Sequence, residues 1–208
     1  MKLKQNQAVR NFPYLFVLLL ILAYTLANYF NALSFVSFNV HFTELGYFHV
    51  FLSLFYFLFH ANTLHLINNL ILLSAASLML NLAPFKTYVS SEIQVRVIGI
   101  SAIIGAIIFK ITYTLGFHEQ TVYLIGASGG VYALVSFALT RVLLSLKTFL
   151  QLKYVLFIAI FIIYLSDQIK MDVATAGNGS IFVHGTGYLI GCMYGIWDFH
   201  QKNVNLQH

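Results

Sequence analysis

Residues 125–144 read IGASGGVYALVSFALTRVLL. At 1.5 Å per residue, roughly 20 mainly apolar residues cross the ~30 Å hydrocarbon of a bilayer as a helix. The run carries one charge, Arg141, towards its end. It opens on Gly126, Gly129 and Gly130, which surround Ser128. A hydroxyl among glycines at the head of an apolar helix is costly to leave unpaired in lipid. Whether this stretch faces lipid or a soluble core is decided by the rest of the chain.

The composition favours lipid. The 208 residues are 60% hydrophobic and 8% charged, against about 25% charged in a soluble domain. A soluble fold of this size still exposes about a third of its unfolded-chain surface, and so few charges could not cover it. The net charge of +5 forms no basic stripe interleaved with aromatics, which argues against nucleic acid as a partner. The single cysteine, Cys192, lies within an apolar run and can form no internal disulfide.

Six apolar segments have the length or character of spans: 13–30, 62–82, 95–113, 125–144, 153–166 and 181–198. The first follows a basic start, as a signal peptide would, but lacks a short polar region with a cleavage site and reads as a retained helix. Between the first two spans, Asn31 to His49 is too polar and aromatic for a plain span and reads as a structured interfacial loop. With a cytoplasmic N-terminus, nine basic residues fall inside: Lys2, Lys4, Arg10, Lys86, Arg96, Arg141, Lys147, Lys153 and Lys202. Only Lys110 and Lys170 fall outside, so the positive-inside rule places both termini in the cytoplasm. The expected layout is a cytoplasmic segment at 1–12, a six-span unit at 13–198 and a cytoplasmic tail at 199–208. The fold class is all-α, a polytopic membrane protein. No internal repeat supports an inverted-repeat transporter.

Polar residues cluster at one depth. The second span opens with His60, His65 and Asn69, and the last two share a helix face at a spacing of four. The fourth carries Ser128 and Tyr132 at the same spacing. The sixth contains His184, Gly187 and Gly191 on one face. Ser128 lies roughly 20 Å above Arg141, His184 roughly 21 Å above Asp198, and Asn69 roughly 23 Å above Pro84, by helix rise. Three helices thus bring polar groups to nearly one level in the outer half of the hydrocarbon. Gly187 and Gly191 form a small-x-x-x-small face that lets another helix approach closely. Plainer uses of the same residues stay open: a serine bonding its own helix backbone, or a histidine in helix packing.

The chemistry narrows by elimination. His60 and His65 diverge by about 140° around a helix, no HExxH occurs and no carboxylate lies near in sequence, which argues against a metal site. Serine chemistry fits better. Ser128 would attack a peptide carbonyl while His184 takes its proton. No aspartate lies at this level, so the unit is a dyad, with the Tyr132 ring placed to pack on His184. His65, Asn69 and the Ser128 backbone N–H are suitable donors to an oxyanion. Water would reach the site through a cavity opening outward, and the substrate helix must unwind at the cut.

At these residues the chain resembles the rhomboid family of intramembrane serine proteases. GASG at 126–129 is similar to the family's GxSG motif, HANTLHLINN at 60–69 to its second-span motif, and His184 with Gly187 and Gly191 to its sixth-span motif. The resemblance covers about Phe51 to Gly191. It implies Ser128 as nucleophile, His184 as base, His65 and Asn69 in the oxyanion region, and supporting roles for His60, Tyr132, Gly126 and Gly129. It further implies a compact six-helix bundle with a short central fourth helix and a first external loop partly in the membrane. Substrates would be single-span membrane proteins cut near the outer boundary. Neither a cofactor nor an obligate protein partner would be needed. The minimal six-span form is that of bacterial inner-membrane members. The first-loop tryptophan–arginine pair and the glycine and glutamate after the second-span motif are absent; Ala75, Ala76 and Asn81 occupy the latter region. Two other readings remain: a non-proteolytic relative that binds client spans, and a small transporter, for which the inner halves of the fourth and sixth spans offer little beyond Ser136 and Thr140.

Overall fold

A computed structural model of the chain describes residues 2–33, 38–39, 55–81, 89–116, 123–145 and 178–204, with isolated helical positions between 159 and 170. Among the described residues, five long helices follow in order: α1 (Lys2–Tyr29), α2 (Thr63–Asn81), α3 (Ser91–Thr114), α4 (Ser128–Ser145) and α5 (Asn178–Val204). A two-residue strand β1 (Phe38–Asn39) pairs antiparallel with β2 (Tyr123–Leu124), and a 3-10 turn (Tyr56–Leu58) precedes α2. Most of the expected interfacial loop at 31–49 and most of the expected fifth span at 153–166 lie outside the described residues.

The chain is a helical protein built for an apolar surrounding. Within α2, α3 and α4, Thr63–Leu80, Glu92–Thr114 and Ser128–Ser145 are long and apolar enough to cross a membrane, and α1 contributes the shorter apolar stretch Leu15–Tyr29. Large apolar side chains point outward at helical spacing: Leu15, Leu18 and Leu22 on α1, Ile103, Ile107 and Ile111 on α3, Leu189, Met193 and Trp197 on α5. A water-facing surface would carry charges there, whereas lipid covers such stripes.

Helix ends follow local chemistry rather than the edges of apolar runs. The Asn62 side chain accepts the His65 N–H at 2.9 Å and starts α2. Ser90 accepts the Ile93 N–H and starts α3 four residues before the apolar run at Val95. The fourth apolar run begins at Ile125, yet α4 begins only at Ser128, because Gly126 has φ +123° and breaks the helix. α1 and α5 extend beyond their apolar parts, to Lys2 and Val204.

α4 sits at the centre. Every residue from Ser128 to Ala138 is buried, and 72% of α4 is enclosed, against 44% for the apolar stretches of α2 and α3. It packs on α5, α2 and α3. The contact with α5 is made by glycines. A Cβ at Gly187 would run into the Gly129 carbonyl, one at Gly191 into the Ala133 carbonyl, and one at Gly195 would lie 2.8 Å from Thr140 Cβ and 3.2 Å from the Phe137 carbonyl. The contacts advance together on both helices, so α4 and α5 run parallel. Ser136 Oγ donates to the Tyr188 carbonyl at 2.7 Å across this seam. Further along, Arg141 Nε and Asp198 Oδ2 approach to 3.2 Å, off hydrogen-bond alignment, with both side chains about 95% enclosed.

Candidate active site

The parallel α4–α5 pair brings two polar side chains together at its N-terminal end. Ser128 is the first residue of α4 and is buried; His184 is part-buried on α5. Their Oγ and Nε2 atoms lie 2.7 Å apart, a full-strength hydrogen bond. The Tyr132 ring, one turn along α4, stacks on the imidazole at 4.7 Å between centroids and 36° between planes. Tyr188 stacks in turn on Tyr132 at 5.8 Å. The stack of Tyr132 restrains the plane of the imidazole.

The backbone ahead of Ser128 is fixed from three sides. β2 pairs with β1. The Gly126 N–H donates to the Tyr56 carbonyl at 3.2 Å. The His65 ring lies against Gly126 so closely that a Cβ there would sit 3.0 Å from Nε2 and nearer still to Cε1. Gly126 is thus required twice, by its backbone angle and by that ring. Past this turn, the first amides of α4 have no acceptor within their own helix. Val131, the fourth residue, is the first to bond back, to the Ala127 carbonyl.

α2 and the segment just before it contribute the remaining residues. His65 and His60 meet edge to face at 5.2 Å. His60 is fully enclosed, and neither ring nitrogen has a hydrogen-bond partner among the described residues. Asn69, one turn along from His65, is 2% exposed and its Nδ2 lacks a hydrogen-bond partner among the described residues. A buried amide donor with no acceptor is expensive to keep. Among the described residues no three His, Cys, Asp or Glu side chains gather in a way that could hold a metal ion.

The structure therefore joins Ser128, His184 and Tyr132 by direct contact, and Gly126, His65 and His60 by a second chain of contacts. Asn69 lies enclosed on α2, one turn along from His65. Gly129 and Gly187 face each other at the seam, and Gly191 follows one turn on. Two positioning residues are not signalled by any motif. Tyr56 is 3% exposed, donates its hydroxyl to the Ala102 carbonyl at 2.8 Å and accepts the Gly126 amide on its backbone. Ser101, 1% exposed, donates to the Gly129 carbonyl at 3.1 Å where α3, α4 and α5 cross. Ser136 and Thr140, the polar residues a transport path would use, are engaged in the seam, Thr140 Oγ1 lying 3.4 Å from Cys192 Sγ. Comparison with protein-family models, curated proteins and solved structures returns no match to this chain.

Proposed function

We propose that this chain is an intramembrane serine endopeptidase of the rhomboid type, with six spans, both termini cytoplasmic, in a bacterial inner membrane. The observation that carries the proposal is the 2.7 Å contact between Ser128 Oγ and His184 Nε2 at the head of a buried helix. An aromatic stack lies on the imidazole, and α2 carries at Asn69 a buried amide donor with no hydrogen-bond partner among the described residues.

In this reading His184 accepts the Ser128 hydroxyl proton as Oγ attacks the scissile carbonyl. The carbonyl electrons move onto oxygen, and that oxyanion takes hydrogen bonds from His65, Asn69 Nδ2 and the Ser128 amide. His184 then returns the proton to the departing amine, the C–N bond breaks, and an acyl ester remains on Ser128. Water, deprotonated by His184, attacks the ester; the carboxylic acid leaves and Ser128 recovers its proton. Substrates are single-span membrane proteins that unwind near the outer boundary, and no cofactor takes part.

The test is cleavage of model single-span substrates in liposomes. Wild-type protein cuts, whereas Ser128→Ala and His184→Ala fold normally and do not. Unchanged cleavage by Ser128→Ala overturns the mechanism. Binding of client spans by the wild type without cleavage across a broad panel assigns the chain to the non-proteolytic reading instead.

A further inference from the structure

The α4–α5 seam is nearly periodic. Gly187 sits over the Gly129 carbonyl, Gly191 over Ala133 and Gly195 over Phe137, each step four residues on both helices. Sliding α5 by one turn, about 5.4 Å, keeps two of the three glycines on α4 backbone, with Gly187 over Ala133 or Gly191 over Gly129, and brings Val183 or Phe199 to the third place. The Ser136 hydroxyl bonds a backbone carbonyl, Tyr188 O, and carbonyls also recur every turn. The glycine steps and this hydrogen bond therefore separate the registers only at one end of the seam. Arg141 and Asp198 do not recur. Both are enclosed, they meet at 3.2 Å, and the guanidinium lies 5.4 Å from the centroid of the Phe199 ring. A one-turn slip would leave two buried charges apart, which is far worse than having neither.

We propose that the Arg141–Asp198 pair sets the longitudinal register of α4 against α5, and so determines whether Ser128 meets His184. The two are positioning residues. Ser128 lies 13 residues before Arg141 and His184 14 before Asp198, so the ion pair and the dyad close opposite ends of one parallel seam. Buried polar pairs are best attested in such register-setting roles. The register rests on the seam geometry alone; only its consequence for catalysis rests on the protease reading.

Cys192 is the only native cysteine and lies opposite Thr140. In the full chain, Thr140→Cys reports the native register by forming a 140–192 disulfide under mild oxidation. Ser136→Cys and Leu144→Cys report a slip of one turn either way. With the pair intact, only the 140 reporter cross-links in good yield. The double variant Arg141→Met/Asp198→Leu removes both charges and leaves none stranded. In it, the 140–192 yield falls several-fold, a slipped reporter gains, and labelling of Ser128 by a fluorophosphonate slows at least tenfold. Arg141→Lys, which keeps the charge pair, retains the native cross-link. Should the double variant not fold, Arg141→Gln/Asp198→Asn, which also strands no charge, is read in the same way. A native cross-link that persists unchanged without the pair overturns the proposal, whatever the labelling does. A shifted cross-link in a protein whose parent never labels or cleaves upholds the register and removes the protease reading.

Discussion

Replacing Gly191 by alanine tests whether the close approach of α4 and α5 is what makes the dyad. A Cβ at Gly191 runs into the Ala133 carbonyl oxygen and the Ser136 hydroxyl, both on the enclosed centre of α4. Ordinary C···O contacts lie near 3.3–3.6 Å, so the helices must part by on the order of 1 Å, since a backbone carbonyl cannot swing aside. Carried to the end of the seam, that opening takes the Ser128–His184 separation from 2.7 Å to about 3.7 Å, beyond hydrogen-bond range. A misplacement of that size costs about 10²-fold in rate, and the overpacking itself about 1–3 kcal/mol of stability. Gly185, one residue from His184, is the control: a Cβ there meets nothing within 4 Å. Gly185→Ala should gain about 0.5–1 kcal/mol from helix propensity. The assay is the rate of fluorophosphonate reaction at Ser128 in detergent, alongside the thermal midpoint. If Gly191→Ala reacts as fast as Gly185→Ala and melts at the same temperature, the seam does not hold the dyad as argued.

Other outcomes follow from single contacts. Asn69→Ala should slow substrate cleavage by about 10²-fold, as loss of an oxyanion donor does, while barely lowering the melting temperature, because its Nδ2 has no hydrogen-bond partner among the described residues; a large loss of stability with normal cleavage contradicts the assignment. Tyr56→Phe removes the hydroxyl bond to Ala102 but leaves the backbone bond to Gly126, so chemical denaturation should show a loss of about 1 kcal/mol.

Much of the fold could be read in one dimension because lipid imposes a one-dimensional rule. The expected 62–82 and 95–113 fall on α2 and α3, since an apolar run of that length has one economical use in a membrane. The ends differ where a side chain or a backbone angle decides: Ser90 starts α3 early, and Gly126 starts α4 late. Counting helix rise brought Ser128 and His184 to one level, and adjacency of their helices does the rest. What depends on adjacency alone was not legible. Arg141 read as a cytoplasmic-end charge, yet it is 4% exposed and turned to Asp198; without it the basic bias is still eight against two. Tyr56 and Ser101 belong to no motif, and nothing in spacing shows that their hydroxyls meet carbonyls of other segments.

The enclosure of α4 also bears on how the molecule is made. Its candidate span has a mean hydropathy of 1.4, the lowest of the three, against 1.6 and 2.0 for those in α2 and α3. Its Ser128, Ser136 and Arg141 are covered by neighbours rather than tolerated by lipid. Of the described helices, α5 is translated last, and it supplies the partners of Ser128, Ser136 and Arg141. Until α5 leaves the ribosome, α4 must wait in the insertion machinery or in a half-built bundle with its polar face bare. Quality-control proteases that survey nascent membrane chains would find that intermediate, and not the finished protein, the vulnerable form.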